Sequence, residues 1–309
     1  MQTTEQSFLE IQKYVINSQE IHIVRDDIFP FIGGGSKARK AIEYEKYLKE
    51  NGYNAIVTCG GVQSNHNRAM ALIAARNGWE CHLCIQDENN RFYKEKGNAL
   101  IDRMSGAKCE IINPEETSSA MNRAMEMLQK EGYKPFYVTG GGHDLPGGNA
   151  FINAVKILKY KCEKHNYKPD YIFHASGTGS TQAGILVGLD LMKWSDVKVV
   201  GISVARQHDR GAQVITEFAN KLALHHNIKK DYKDKVLFKT DYLFGGYEKD
   251  TEEMKEFLLE TTRKTGLIFD TTYSGKAFYG MMDIIKNNPE MKNKKILFWH
   301  TGGLMNIQK

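Results

Sequence analysis

The chain has 309 residues, of which 41% are hydrophobic and 26% charged, and its 42 basic and 37 acidic side chains leave a net charge of +5. This balance, with only 6 prolines, excludes disordered and collagen-like chains, and no apolar stretch is long enough to span a membrane. The polar first ten residues lack the pattern of a signal or transit peptide, so we expect a cytoplasmic protein. Since acidic residues interrupt the lysine-rich stretches, nucleic-acid binding is not expected.

Short β-branched and apolar runs alternate with segments of helical periodicity. Strands are predicted at 55–59, 81–85, 109–112, 135–139, 171–175, 197–204 and 295–300. Helices are predicted from residue 36 onwards and at 65–77, 99–104, 116–130, 149–164, 181–192, 211–225, 251–265 and 274–287. This alternation is typical of parallel sheets covered by helices, and it occurs in two runs. The sequence therefore predicts an α/β protein with two doubly wound, three-layer α/β/α domains.

Five cysteines are present, an odd number that favours free thiols in a chain without a secretion signal. Cys81 and Cys84 have the Cys-x-x-Cys spacing of many zinc sites. The surrounding residues are strand-like and apolar, and no second ligand pair follows. A buried strand is the better interpretation, and no metal site is expected.

The 28 glycines concentrate in short clusters. The five leading clusters are at 33–35, 60–61, 140–142, 177 with 179, and 302–303. Four of them follow the carboxyl end of a predicted strand. Open parallel sheets bind ligands at that edge, so these loops are predicted to converge on one ligand.

The segment 176–181, Ser-Gly-Thr-Gly-Ser-Thr, lies between a predicted strand and a predicted helix. Glycine lets the backbone approach a ligand closely, and free N–H groups at the helix N-terminus favour a phosphate group. A tight turn with a capping hydroxyl is the alternative, but a cap accounts for only one of the hydroxyls. The segment lacks the Lys-Ser/Thr ending of a P-loop and the third glycine of the dinucleotide fingerprint. The phosphate is therefore expected on a small cofactor or substrate.

The glycine cluster at 33–35 precedes Ser36, the predicted helix N-cap, and Lys37 in the first helical turn. The positive end of the helix dipole lowers the pKa of an amine there, so the neutral amine becomes more available. The alternative is a solvated lysine in a basic helix start. A reactive lysine together with a phosphate loop meets the needs of a pyridoxal phosphate (PLP) enzyme, namely covalent attachment and phosphate anchoring.

Six motifs follow in order along the chain: residues 33–40, 60–66, 176–181, 245–247, 273–276 and 300–303. Together they resemble the PLP-dependent D-cysteine desulfhydrase and aminocyclopropane-carboxylate deaminase family, over nearly the whole chain. The resemblance implies the tryptophan synthase β-like fold (fold type II) and a homodimer. It places PLP between a large domain of residues 1–48 and 150–309 and a small domain of residues 49–149.

The resemblance also implies a set of cofactor contacts. Lys37 resembles the lysine that bonds covalently to PLP and moves the Cα proton, and Lys40 resembles a phosphate-contacting lysine. The phosphate cup corresponds to Gly177, Thr178, Gly179, Ser180 and Thr181. Asn65 resembles the residue that hydrogen-bonds O3′, and Thr301 resembles the hydroxyl partner of the pyridine nitrogen. A neutral hydroxyl leaves that nitrogen largely unprotonated, which suits β-elimination better than transamination.

For the substrate, the resemblance implies a carboxylate clamp formed by Ser64, Asn65 and His66. Their place at a predicted helix N-terminus suits an anion. Tyr247 and Tyr273 resemble the two active-site tyrosines that face the substrate and assist proton transfer. Taken singly, His66, Tyr273 and Thr301 also have purely structural interpretations, as a cap-region group, a core aromatic and a turn residue.

Three positions distinguish the subgroups of this family. Ser274, Thr301 and His66 have the desulfhydrase pattern, where the deaminases typically carry Glu, Leu and Gln. Two features depart from the family: Ser36 replaces the usual Asn before the lysine, and His143 with Asp144 interrupts the glycine-rich segment 140–148. The latter pair is expected to reshape the substrate side of the pocket.

The sequence therefore predicts a PLP-dependent lyase that converts D-cysteine to pyruvate, ammonia and hydrogen sulfide. The alternative enzyme is an aminocyclopropane-carboxylate deaminase, or a relative acting on another β-substituted amino acid. The alternative from another class is a phosphate-ligand or nucleotide-binding module without covalent chemistry. The only partner expected besides a second copy of the chain is a small amino-acid substrate.

Overall fold

The computed structural model of the protein describes residues 7–31 and 33–308. Within these ranges the strands are β1 (Ile11–Ile16), β2 (Gln19–Arg25), β3 (Ala55–Gly61), β4 (Glu80–Gln86), β5 (Lys108–Ile112), β6 (Pro135–Tyr137), β7 (Tyr171–Ser176), β8 (Lys198–Ser203), β9 (Leu237–Lys239) and β10 (Ile296–His300). The helices are α1 (Gly35–Glu50), α2 (Asn65–Asn77), α3 (Gly97–Met104), α4 (Thr117–Lys130), α5 (Leu145–Lys164), α6 (Ser180–Leu191), α7 (His208–His225), α8 (Glu252–Thr265) and α9 (Ser274–Asn287). Strands and helices alternate almost throughout, as the sequence predicts.

The strands form two sheets, with the orders β1-β2-β10-β7-β8-β9 and β5-β4-β3-β6. Every neighbouring pair is parallel except β1 with β2, which form an antiparallel hairpin. The central strand β10 is buried along its whole length, which explains its continuous apolar run, since both faces of a parallel sheet are covered.

Four apolar clusters cover the four sheet faces. The larger sheet packs against α5, α6 and α7 on one face and against α8 and α9 on the other. The smaller sheet packs against α1, α2 and α3 on one face and against α4 on the other. Each sheet is thus the middle layer of an α/β/α sandwich, which confirms the predicted fold class. No helix in the described ranges has the length and apolar character needed to cross a bilayer.

The entry to α1 differs from the prediction. The helix begins at Gly35 with Gly34 as its N-cap, and no side chain caps it, so the predicted N-cap Ser36 is wrong. Left-handed glycines bring the chain into the helix two residues earlier, and the Ser36 N–H is already bonded to the Thr301 carbonyl oxygen.

The division into two domains stays a prediction. Helix α1 contributes Ala38, Ala41 and Leu48 to the core of the smaller sheet and also packs against α5.

Cys81 and Cys84 lie on opposite faces of β4, each in a different apolar core. Two strand residues that are three positions apart always point to opposite faces, because side chains alternate along a strand. Their spacing therefore does not bring the two thiols together, and all five cysteines are free.

Candidate active site

The glycine-rich loops converge on one cavity of about 450 Å³ at the carboxyl ends of β3, β7, β8 and β10. The predicted site residues that line it are Lys37, Ser64, Asn65, His66, Gly177, Thr178, Gly179, Thr181, Tyr247, Tyr273 and Thr301. Lys40 and Ser180 lie behind its wall, in contact with each other. Residues far apart in the sequence thus share one site, as expected at the carboxyl edge of parallel sheets.

Three glycines at the N-terminal end of α1 set the position of Lys37. The glycines at 33–35 have φ values of 80°, 53° and 85°, which other residues rarely adopt. At Gly35 a Cβ would lie 2.7 Å from the Thr301 carbonyl oxygen, so a side chain would push α1 away from the loop after β10. The close approach lets the Ser36 N–H donate to that oxygen at 2.9 Å. Lys37 follows as the third residue of the helix, on the cavity wall.

Two lysine side chains meet at one backbone oxygen. Lys37 Nζ and Lys40 Nζ each donate to the Gly141 carbonyl oxygen at 3.0 Å. Burial lowers the pKa of Lys37 to about 8. Burial, reinforced by the charge of Lys37, holds the pKa of Lys40 well below its usual value. The glycine cluster at 140–142, to which the sequence assigns no role, thus orients both amines.

Helix α6 begins with its N-terminus open to the cavity. Its N-cap Gly179 has φ 93°, and no side-chain cap bonds to the first N–H groups. A Cβ at Gly179 would lie 2.6 Å from Ile215 Cγ1, so packing against α7 also requires glycine there. Behind the loop, Lys40 Nζ donates to the Ser180 hydroxyl at 2.7 Å. Free N–H groups beside a lysine form a suitable site for a phosphate.

Arg206, which the sequence did not indicate, stabilises the loop before α6. It follows β8, lines the cavity, and its Nη1 donates to the carbonyl oxygens of Gly177 at 3.2 Å and Thr178 at 2.7 Å. The contacts join residues 28 and 29 positions apart, which no local pattern reveals. They add a fixed positive charge on the phosphate side of the cavity.

The N-terminus of α2 presents two side chains to the cavity. The Ser64 hydroxyl oxygen accepts from the Asn67 N–H at 3.1 Å and caps the helix, which leaves its own proton free to donate. Asn65 Oδ1 accepts from Arg68 Nη1 at 2.8 Å and from Asn98 Nδ2 at 3.1 Å. Both contacts use the Asn65 oxygen, so its NH₂ group remains available as a donor.

The His66 ring has a defined proton arrangement. The Thr58 hydroxyl donates to the Val138 carbonyl oxygen at 2.8 Å, so its single proton is used there. His66 Nε2, 2.9 Å from the same hydroxyl, must therefore be the donor of that pair. Burial holds the His66 pKa well below its usual value, so the ring is neutral and Nδ1 carries no proton. The ring cannot donate to a carboxylate from Nδ1, which leaves the backbone N–H groups of this helix end for that role.

Tyr247 and Tyr273 face each other across the cavity mouth. Their hydroxyl groups are hydrogen-bonded, and the rings meet edge to face with centroids 5.9 Å apart. Desolvation raises the pKa of Tyr247 to about 12 and that of Tyr273 well above its usual value, so both phenols keep their protons at neutral pH. Buried Lys276 donates to the carbonyl oxygens of Leu243 at 2.8 Å and Gly246 at 2.7 Å, and it thereby holds the turn that carries Tyr247.

His143 and Asp144 have structural roles. The Asp144 carboxylate caps α5 through the Gly147 N–H and accepts from the Tyr44 hydroxyl. The His143 ring packs on Phe218 with centroids 4.3 Å apart. Neither residue lines the cavity, so the expectation that this pair reshapes the substrate side is wrong.

Comparisons with known proteins agree with this geometry. A putative 1-aminocyclopropane-1-carboxylate deaminase of Pyrococcus horikoshii is 30% identical over 288 residues, covering 92% of this chain and 85% of the relative. The bifunctional mitochondrial D-cysteine desulfhydrase/1-aminocyclopropane-1-carboxylate deaminase of Arabidopsis thaliana is 32% identical, covering 94% of this chain and 74% of the relative. A crystal structure of an ACC deaminase homologue matches with a TM-score of 0.84 at 29% identity, covering 96% of this chain and 90% of the other. The family model of pyridoxal-phosphate dependent enzymes matches residues 11–302, so the chain belongs to that family, and the predicted cofactor is confirmed.

Proposed function

We propose that this pyridoxal-phosphate-dependent lyase eliminates the β-substituent of a small amino acid, with D-cysteine as its substrate. One observation carries the proposal: the Lys37 amine, the open N-terminus of α6 and the paired tyrosines share one cavity. The overall reaction consumes D-cysteine and water and releases pyruvate, ammonia and hydrogen sulfide, so its atoms balance without an oxidant or reductant.

The cofactor fits the residues present. Lys37 would hold it covalently, and the first N–H groups of α6 with Lys40 and Ser180 would hold its phosphate. Thr301, which directly follows β10 and lines the cavity, would supply a hydroxyl for the pyridine nitrogen. PLP, when bound, supplies the electron sink that stabilises negative charge at the substrate Cα.

The protein side chains account for the remaining steps. The substrate carboxylate would bind the N-terminus of α2, where the Ser64 hydroxyl and backbone N–H groups donate. The Lys37 amine, with a pKa of about 8, is the base placed to accept the Cα proton. The Cα–H bond breaks first, and the electron pair left at Cα then expels the thiolate as the Cβ–S bond breaks. The neutral phenols of Tyr247 and Tyr273 are placed to donate a proton to the departing sulfur. General acid catalysis of this kind contributes roughly 100- to 10,000-fold.

The test is an activity screen of the purified protein with D-cysteine, L-cysteine and aminocyclopropane carboxylate, measuring keto acid and sulfide together. We expect pyruvate and sulfide in equal amounts from D-cysteine, and a visible absorbance band from lysine-bound PLP. Lys37→Ala should lose both, whereas Lys46→Ala, on the exposed side of the same helix, should lose neither. Pyruvate formation by Lys37→Ala at the wild-type rate would exclude the role given to Lys37.

A second candidate is the deamination of aminocyclopropane carboxylate, because the relatives in Pyrococcus horikoshii and Arabidopsis thaliana carry that activity in their names. Release of 2-oxobutyrate from this substrate, without sulfide from D-cysteine, would favour it. Ser274 and Thr301 are the residues that support the desulfhydrase instead, since the deaminases typically carry Glu and Leu there.

We also infer a homodimer that works in the cytoplasm. The family resemblance supports the dimer, and the five free cysteines, which suit a reducing compartment, support the location. Light scattering after gel filtration should give about twice the chain mass of 35.1 kDa. A mass equal to one chain would exclude the dimer.

A further inference from the structure

Arg68 is a buried cation whose hydrogen-bond partners are all neutral. It lies one turn into α2, is 1% exposed, and its guanidinium donates to Asn65 Oδ1 at 2.8 Å, Asn98 Oδ1 at 2.9 Å and the Gly34 carbonyl oxygen at 3.1 Å. The carboxyl group of Asp102 acts on it only at longer range, and neither oxygen of that carboxyl has a hydrogen-bond partner in the described chain. A buried charge costs free energy unless it is neutralised, so this guanidinium needs an explanation beyond packing.

The guanidinium fixes the orientation of the Asn65 amide. Arginine can only donate hydrogen bonds, so the Asn65 atom that faces it must be the oxygen. Asn98 Nδ2 lies 3.1 Å from the same oxygen, and it shares its two hydrogens among that oxygen, the Gln63 carbonyl oxygen at 3.0 Å and Asn306 Oδ1 at 2.7 Å. With its oxygen occupied twice, Asn65 can present only its NH₂ group to the cavity that it lines.

The same side chain shapes the turn before Lys37. A Cβ at Gly33 would lie 2.7 Å from Arg68 Cζ, so the glycine turn fits closely around the guanidinium. Arg68 donates to the Gly34 carbonyl oxygen, 34 positions away in the sequence, and thereby connects this turn to Asn65. One residue therefore sets both the amide donor and the start of the helix that carries the reactive lysine.

We propose that Arg68 is a positioning residue for the cofactor: through Asn65 it directs a polarised N–H donor at the anionic phenolic oxygen of PLP. The proposal rests on the proposed function and on the family resemblance, which implies that Asn65 hydrogen-bonds that oxygen. A hydrogen bond that feeds into a charged partner is stronger than a neutral one, and chains of such bonds reinforce each other at low dielectric. The buried charge is then neutralised in the holoenzyme, where PLP places negative charge one side chain away.

The test replaces the guanidinium and measures the cofactor rather than turnover. We expect Arg68→Met to weaken PLP binding by about tenfold or more, the scale of losing a hydrogen bond supported by a charge. Its visible band should decrease in favour of a near-ultraviolet band at constant pH, because the phenolic oxygen becomes easier to protonate. Arg39→Met is the matched control, since Arg39 is an equally buried arginine that instead pairs with Asp26 at 2.5 Å. It should lower stability and leave the band ratio unchanged.

A second variant keeps the test decisive if Arg68→Met does not fold. Asn98→Ala removes the other donor to Asn65 Oδ1, and we expect the same spectral change to a smaller extent. Folded variants of both kinds with the wild-type band ratio and PLP affinity would overturn the role of Arg68 and leave the proposed function intact. A wild-type protein that shows no visible band on addition of PLP would overturn both.

Discussion

The cofactor-free protein should become more stable when Lys37 loses its amine. The Lys37 side chain is half-buried at the cavity wall with a carbonyl oxygen as acceptor, and desolvation lowers its pKa from 10.5 to about 8. This drop means that the folded chain holds the ammonium form less favourably than the unfolded chain does. It corresponds to about 3 kcal/mol.

The sign follows from proton binding. Below pH 8 the Lys37 amine is protonated in both the folded and the unfolded chain, so the folded chain is destabilised by the full amount of about 3 kcal/mol. Between pH 8 and 10.5 the unfolded chain binds the additional proton, so the stability of the wild type rises with pH. Lys37→Met, which has no titrating group, lacks this rise. The free energy of unfolding of Lys37→Met should therefore exceed that of the wild type by about 3 kcal/mol at pH 7 and by about half of that at pH 9.5.

Urea unfolding of PLP-free protein at pH 7 and 9.5, followed by far-ultraviolet circular dichroism, measures both differences. Lys37→Arg, which keeps its charge throughout, should remain less stable than Lys37→Met by a similar amount at both pH values. Lys46→Met, on the exposed side of the helix, should show little effect at either. If the Lys37→Met advantage does not change between the two pH values, the side chain is not a destabilised buried amine and the reasoning fails.

Three further substitutions test other parts of the site. Lys276→Met leaves the two carbonyl oxygens of the Tyr247 turn unpaired, so kcat/KM should fall by about tenfold or more while PLP affinity, measured by absorbance titration, is unchanged. Gly179→Ala places a Cβ at φ 93° and against Ile215, which should cost about 1–3 kcal/mol of stability in urea and weaken PLP binding as well. Asp144→Ala removes the cap of α5 and the acceptor of the Tyr44 hydroxyl, so it should cost about 1–2 kcal/mol of stability in urea.

Much of the fold is predictable because its elements are locally encoded. Helix α2 has the predicted bounds, since the apolar face of its 13 residues is followed by Gly78 at φ 65°. The hairpin of β1 and β2 is missed because its edge strand leaves most side chains partly exposed, so no apolar run marks it. Strand β9 is only three residues long, too short for any periodicity.

Only those residues of the candidate site that belong to the family motifs are predictable from the sequence. Those motifs name Asn65, but the residues that orient its amide are not visible in them. Asn98 follows it by 33 positions and is in turn bonded to Asn306, 208 positions further on. The role of Gly141 is hidden for the same reason. Its carbonyl oxygen accepts hydrogen bonds from two lysines that lie 101 and 104 positions away in the sequence, and only folding brings them together. Long-range pairing of this kind leaves no pattern in a single sequence.

The lysine pair itself is the clearest sign of a ligand that the fold alone does not need. Lys37 and Lys40 are three residues apart, so they lie on the same face of α1 and repel each other. They also lie in the first two turns of the helix, where its dipole disfavours positive charge, and burial adds a desolvation cost. All three effects oppose folding, and the two amines donate to neutral oxygens in the described chain: both to the Gly141 carbonyl oxygen, and Lys40 also to the Ser180 hydroxyl. An anionic group bound between these amines and the N-terminus of α6 offsets these costs by its attraction to both ammonium groups, which is why a phosphate-bearing cofactor belongs at this end of the cavity.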